Sequence, residues 1–499
     1  MFLAISLALV ALGMLYVYLV WKFSYWKDRN VPGPDPLPLL GNFPSFLLRH
    51  RPFVDEFDDI YRKYKEKYNF VGVFGNRSPR IVVLSSTLAK NIISKDFKHF
   101  HDNDLGKTVN KEADRILGRN PFMLHGEEWK QKRSEITPAF TSSRMKVMFS
   151  FVEDIGSRMT EYLKLQAGSP IEAKELAAKF TTDVVSSCIF AADAQSFTSD
   201  KPQIREMGRR ILQISFFSFI RMILMGVFPN IARKLKIGFI SKSVEEFFLN
   251  LMSEAITHRE TSPIKRVDYL DYLINLQKKK EITELDMAAH GVTFFSDGFE
   301  TTSAAMAFVL YELAKNPKIQ SRLRDELMQA TTDNDPISYD TLLDLPYLDQ
   351  ILSESLRLWP PAAFMSKQCT EPTELDITSS QTVRIEKGVC AIIPIWSFHR
   401  DPEYFVDPLV FNPDRFSPDV GGISSYREKG CFLPFSEGPR QCLGMRFARM
   451  LVKRGIYEII VNFAVTVNRK TKEPILVDPK EPLISALGGI WLNFNPIFK

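Results

Sequence analysis

Over most of this chain, apolar positions recur with the 3.6-residue period of helices that bury one face. The stretches 53–68, 127–166, 172–191, 244–260, 283–316, 317–330, 339–359 and 444–462 all carry it. Period-two alternation is confined to 70–84, Thr382–Trp396 and 474–495, with Glu386-Lys387-Gly388 reading as a hairpin turn in the second. The expected fold is mostly α with a minor β region.

Two apolar runs stand apart. Met1–Val20 contains no charge, and as a helix it would span roughly 30 Å, the thickness of a bilayer's hydrocarbon core. A cleaved signal would want basic residues in front of the run. Here Lys22, Lys27 and Arg29 follow it, which orients the downstream chain to the cytosol. Trp21, Tyr25 and Trp26 suit the headgroup zone, so residues 1–21 are expected to be a transmembrane anchor. The second run, Ser215–Pro229, is too short for a span and contains Arg221. A buried core helix and a patch dipping into lipid would leave the same pattern there.

Val31-Pro-Gly-Pro-Asp-Pro-Leu-Pro38 packs four prolines into seven residues. Such a segment cannot continue a helix and stays stiff and extended. Residues 22–50 therefore read as a proline-rich hinge, and 51–499, with no second linker or repeat, as one large catalytic domain.

One helix is unusual. A capping box, Thr283-Glu-Leu-Asp286, opens a pattern that runs to Asn316, just before Pro317. Its length would be roughly 50 Å. Its middle, Phe294-Phe-Ser-Asp-Gly-Phe-Glu-Thr-Thr-Ser303, holds an acid, hydroxyls and a glycine where a structural helix would carry apolar residues. Glycine alone costs about 1 kcal/mol in a helix interior, so chemistry rather than stability is expected to explain the stretch.

Composition narrows the chemistry. A formal charge of +5 on 499 residues is mild and does not suggest a nucleic-acid partner. The five cysteines show no C-x-x-C spacing, so they read as reduced, cytosol-facing thiols, one of them free to be a metal ligand or nucleophile. No His-x-x-x-His pair points to zinc. The informative cysteine is Cys442, in Phe435-Ser-Glu-Gly-Pro-Arg-Gln-Cys442-Leu-Gly444. A glycine- and proline-kinked loop there presents one thiol just before a helix, where backbone N–H groups favour a thiolate. A thiolate suits a soft metal site, and Arg440 can pair with an anionic cofactor group.

The pattern F-x-x-G-x-R-x-C-x-G resembles the haem-binding signature of the cytochrome P450 family. By ordinary residue frequencies its fixed positions should coincide by chance in fewer than about one chain in ten thousand. Other elements follow in the family's order: Trp129-Lys-Gln-Lys-Arg133, Gly298-Phe-Glu-Thr-Thr302, Glu354-Ser-Leu-Arg357 and Phe411-Asn-Pro-Asp-Arg415-Phe416, after the proline-rich hinge. Nearly the whole chain is covered. Among members of the family it is most similar to the microsomal ones of insects.

The resemblance implies a haem-dependent monooxygenase that inserts one oxygen atom of O2 into a lipophilic substrate. The cofactor would be haem b (iron protoporphyrin IX), with Cys442 the axial ligand, beside Phe435 in its loop. Arg440, Trp129 and Arg133 would bind the propionates. Glu300 and Thr301 would be the acid and alcohol that relay protons on the opposite side. Glu354, Arg357 and Arg415 would lock the core beneath the loop. Electrons would come from NADPH through a separate cytochrome P450 reductase, with cytochrome b5 a further candidate. The enzyme would lie in the endoplasmic reticulum membrane, facing the cytosol. Lys130, Lys132, Arg446, Arg449, Lys453 and Arg454 flank the haem loop and are expected to form a basic docking face. A haem-thiolate isomerase or dehydratase and a membrane-tethered haem sensor or carrier are the alternatives, and the intact Glu300-Thr301 pair speaks against the former.

Three departures stand out. A further propionate cation found in many members after the Glu354–Arg357 helix is missing from Ala362-Ala-Phe-Met365. Ser436 stands where the signature usually has glycine. Asp297 stands where many members have alanine, on the helix face expected to meet the haem. A hydrogen-bonded pocket acid, a polar tuner of substrate binding and an ester to a haem methyl are its open readings, the last disfavoured by aspartate's short reach.

Overall fold

The computed structural model describes residues 2–212, 216–227, 229–263, 266–331 and 337–497. In chain order, α1 (Phe2–Val20) leads into the antiparallel hairpin β1 (Phe70–Gly75) and β2 (Ser78–Val83), then the short β3 (Asp102–Asn103). Next come α2 (Gly126–Ile136), α3 (Ser142–Leu165), β4 (Ile171–Glu172), α4 (Ala173–Phe190) and α5 (Phe216–Val227). The long α6 (Glu284–Lys315) and α7 (Pro346–Leu358) precede β5 (Met365–Gln368), β6 (Thr373–Thr378), β7 (Gln381–Ile385) and β8 (Cys390–Ile393). The chain closes with α8 (Met445–Asn462), β9 (Phe463–Val467) and β10 (Trp491–Pro496). Helix dominates and sheet is minor, as the periodicity implies.

Helix α6 starts where the capping box places it. Thr283 Oγ1 accepts from Asp286 N–H at 3.1 Å, and Asp286 Oδ2 accepts from Thr283 N–H at 3.2 Å. It runs 32 residues, about 48 Å, and stops before Pro317, which cannot donate back into it. Around it, α3, α4 and α8 contribute Phe149, Phe180, Val184, Leu451 and Ile456, which join its own Phe299 and Met306 in the main apolar core. A second core lies under the five-stranded sheet, ordered β1-β2-β8-β5-β3.

Several expectations need correction. The periodic stretch 127–166 is two helices, because Pro138 in the turn Thr137–Phe140 interrupts the N–H ladder between α2 and α3. Glu386-Lys387-Gly388 does not close a hairpin: β7 pairs with β6, while β8 pairs with β5 and, in parallel, with β2. Of 474–495 only the end forms a ladder strand, β10. In the run Ser215–Pro229, Met225 is buried while Ile220 is exposed. Its Ser215 and Phe228 lie outside the described residues.

Helix α1 is uncharged and its described side chains are mostly exposed. Among the described residues no helix is long and apolar enough to cross a membrane. At 19 residues α1 itself reaches about 28 Å, slightly short of a ~30 Å core. Met1 and the side chains of Ala4, Ala8 and Leu15 lie outside what is described.

Candidate active site

The loop Leu433–Cys442 is shaped by two left-handed residues. Gly438 has φ +70°, and a Cβ on it would stand 2.1 Å from the Ile93 carbonyl oxygen, so only glycine fits. Ser436, the departure from the usual glycine, takes φ +58° all the same. The loop closes when Cys442 N–H donates to the Phe435 carbonyl at 2.9 Å, and Phe435 packs against the main core. Cys442 thus sits at the mouth of α8, whose N-cap is Gly444.

Burial pushes the Cys442 thiol up to about 11, against the Gly444 N–H and Arg133, which favour the thiolate. Asp297, in α6, adds a push in the unfavourable direction, so the charge of this acid reaches the thiol. Both are desolvated by the protein mass around them, yet both residues are exposed. The two facts agree if Cys442 and Asp297 line one internal space from opposite sides.

On the α6 side, Asp297 and Thr301 are four apart and share a face. The Asp297 carboxyl, pushed up to about 6 by burial, accepts from Ser296 Oγ at 3.1 Å. Thr301 Oγ1 donates to the Asp297 backbone carbonyl at 2.6 Å. Glu300 points elsewhere: it forms an ion pair with Lys174 of α4 at 2.6 Å. The structure therefore brings Asp297 and Thr301 together but engages Glu300 with a lysine. A methyl group on Gly298 would make only ordinary contact with Val185, so packing among the described residues does not demand that glycine.

On the loop side, cations gather. Arg440 donates to the carbonyls of His101 and Leu124 and to Asp102 Oδ1 at 3.2 Å, and its guanidinium lies 4.1 Å from the Trp129 ring. Arg133 of α2 donates to the Gln441 carbonyl at 2.6 Å. Lys367 of β5, which sequence reasoning missed, joins them. It is buried, donates to Asn103 Oδ1 at 2.8 Å, and is pushed down to about 7 by burial and by its neighbours Arg440 and Arg133. It supplies a cation near the place where the sequence lacks one. The sequence carries no signal for it: Lys367 is the one buried residue of β5, Met365-Ser-Lys-Gln, a segment without apolar alternation. Asp102 is the carboxylate paired with this group; it also accepts from Gly126 N–H, which opens α2, and faces a polar cavity of about 320 Å³.

The arrangement fits a haem. The loop offers an exposed thiol, α6 carries a hydroxyl and an acid on one face, and three basic side chains against one carboxylate leave room for a dianion. Beneath the loop, Glu354 accepts from Arg357 Nε at 2.7 Å and Nη2 at 2.8 Å, and from Arg415 Nε at 3.0 Å, with Glu354 and Arg357 fully buried. The expected buried triad is present.

The expected basic face is only partly so. Lys453 and Arg454 are buried in ion pairs with Asp349 and with Glu153 and Glu458. Lys132 bridges Glu135 and Asp286, while Arg449 pairs with Asp349. Lys130 and Arg446 remain exposed.

A large helical fold built around a thiol loop, an acid–alcohol face and a locked glutamate–arginine core is the architecture of a haem-thiolate oxygenase. A sequence model described as cytochrome P450 matches residues 31–487. The chain is 37% identical over 506 residues to probable cytochrome P450 28a5 of Drosophila melanogaster, covering 99% of both chains. It is 35% identical to probable cytochrome P450 28d1 of the same fly, with 97% and 96% covered. It is 33% identical to cytochrome P450 6A1 of Musca domestica, with 99% and 98% covered. The chain belongs to the cytochrome P450 family. It is a monooxygenase with a haem-iron cofactor, which takes O2, a lipophilic substrate and electrons from a redox partner.

Proposed function

We propose that this protein is a membrane-bound monooxygenase of the endoplasmic reticulum in which Cys442 ligates the iron of haem b. The observation that carries the reading is the exposed Cys442 thiol in a kinked loop at the mouth of α8, with Arg440 and Arg133 beside it and the charge of Asp297 in α6 reaching it. When bound, the haem supplies oxygen activation, favoured by electron donation from a thiolate.

The chain's own residues divide the remaining work. Arg440, Arg133 and Lys367 would hold the propionates as charge-assisted pairs, with the Trp129 ring 4.1 Å from the Arg440 guanidinium. Lys367, held by Asn103, would be fully charged beside a carboxylate. Thr301 handles protons at its Oγ1, and Glu300 feeds that path after leaving Lys174. Asp297 gives the pocket a polar spot among apolar residues. Cys442→Ala should abolish the thiolate-type spectrum of the reduced carbon monoxide complex; its survival would refute the ligand assignment.

The electron donor in this reading is an NADPH–cytochrome P450 reductase, with cytochrome b5 as a second donor. Lys130 and Arg446 are the cations left on the loop's flank for that encounter. Substrate oxidation that depends on reductase and NADPH separates an oxygenase from an isomerase and from a haem carrier. Membrane attachment rests on α1 and on exposed Leu48, Ile220, Ile231 and Leu235, with Arg49 stacked 4.9 Å from Phe219 joining two of those segments. Deleting residues 1–21 and assaying release into the soluble fraction tests α1. Fractionation of the intact protein with microsomes tests the compartment.

A further inference from the structure

His399 is fully buried, and every polar atom of its ring is engaged. The Leu433 backbone N–H lies 2.9 Å from its Nε2. A backbone N–H can only donate, so Nε2 carries the lone pair and Nδ1 the hydrogen. Nδ1 lies 3.2 Å from the Arg357 carbonyl and donates to it. The contact is reciprocal, because Arg357 Nη1 donates to the His399 carbonyl at 2.7 Å. The ring stacks on Phe432 with centroids 5.3 Å apart. Burial, then the charges of Arg357 and Arg400, pushes His399 down to about 3, so the imidazole stays neutral at working pH.

Leu433 begins the thiol loop. Its carbonyl accepts from Ser436 N–H at 3.1 Å, and the next turn closes when Phe435 accepts from Cys442 N–H at 2.9 Å. A continuous path therefore runs from the Glu354–Arg357 lock, through one imidazole, to the residue that bears the thiol. Leu433 and His399 are both buried, and an unpaired buried donor is costly.

The geometry points to His399 as the positioning residue of the thiol loop: its Nε2 lone pair fixes Leu433, and thereby the height at which Cys442 presents sulfur to the iron. This rests on the assignment of Cys442 as iron ligand. His399 touches neither substrate nor cofactor and acts only through the loop.

Three full-length holoproteins separate this role from simple packing. In His399→Gln the side-chain oxygen reaches the position of Nε2 and accepts from Leu433. In His399→Asn the amide nitrogen stands near Nδ1, serving Arg357 but leaving Leu433 unpaired. His399→Phe keeps the ring's bulk and offers neither atom. Each is reduced under carbon monoxide, and the share of haem with thiolate-type absorption is followed with rising urea. His399→Gln should keep most of the thiolate form. His399→Asn and His399→Phe should lose it by roughly tenfold in the ratio of the two forms, the size that one buried hydrogen bond commands. Failure of the Asn and Phe variants to retain haem, with Gln retaining it, gives the same ordering. The inference is overturned if Asn holds the thiolate form as well as Gln, or if Gln falls as far as Phe. Absence of the thiolate form in the unaltered protein would instead remove the Cys442 assignment, and this inference with it.

Discussion

Replacing Arg357 or Arg415 with methionine removes one cation from the same glutamate, yet the costs should differ widely. Arg357 is fully buried and donates to both oxygens of Glu354, to the His399 and Pro408 carbonyls at 2.7 Å each, and more distantly to Val410. Breaking a buried ion pair costs about 3–5 kcal/mol. Leaving the buried His399 carbonyl without a donor adds about 1–3 kcal/mol, and the part-buried Pro408 carbonyl less. The sum, about 4–8 kcal/mol, is comparable with the whole stability of a domain, about 5–15 kcal/mol. Arg357→Met should therefore yield almost no haem-bound protein. Arg415 donates to one Glu354 oxygen at 3.0 Å and to loop carbonyls such as that of Val406, a largely exposed residue where water can take over. Glu354 would keep Arg357 and the Asn412 N–H, at 2.9 Å. The loss is one charged hydrogen bond, about 1.5–3 kcal/mol, and the protein should still fold. Haem content on expression and urea midpoints of the purified proteins measure both. Equal damage from the two variants, or an Arg357→Met protein that unfolds like the parent, would show that the carbonyl contacts contribute nothing.

Ser436→Gly relieves a left-handed residue in the thiol loop and should raise stability by up to about 1 kcal/mol, seen as a higher urea midpoint. Thr301→Ala should leave haem and substrate binding intact while more NADPH consumption ends in hydrogen peroxide; an unchanged ratio of product to NADPH would remove Thr301 from proton handling. Asp297 sits near 6 against 3.8 for an ordinary aspartate, so the folded state holds its proton more tightly than the unfolded state. That contribution is fully present below about 3.8 and is lost as pH rises through about 6. Asp297→Asn should therefore flatten the fall in stability between those values, and unfolding curves that stay parallel to the parent's would contradict the desolvated setting of this acid.

The site was legible in the sequence to the extent that chemistry is local. The thiol loop, the capping box of α6 and the Glu354–Arg357–Arg415 lock are set by residues close in the chain or by charges with few alternatives. What escaped depends on distant partners. Whether Glu386–Gly388 closes a hairpin is decided by β2 and β6, which offer β8 and β7 better edges than they offer each other. Lys453 and Arg454 lie in a helix that reads as amphipathic, and only packing reveals that Asp349 and Glu458 draw them inward. Lys367 and His399 are single residues on unremarkable segments, and they gain meaning from Arg440, Arg357 and Leu433 across the fold. Pro138 is the exception, a local signal sufficient by itself to divide 127–166 into two helices.

The bond from Thr301 to the Asp297 carbonyl has a directional consequence. The hydroxyl hydrogen is committed to the helix, so the side chain turns its lone pairs to the internal space. In that state it greets visitors as an acceptor only. Water, an alcohol or a protonated amine can settle against it, whereas a ketone or ether finds no hydrogen to receive. Rotating the hydroxyl frees that hydrogen at the expense of the backbone bond, about 0.5–1.5 kcal/mol. Selectivity for hydrogen-bond donors at this wall is thus a property of one rotor, and a donor already seated there would favour the committed orientation.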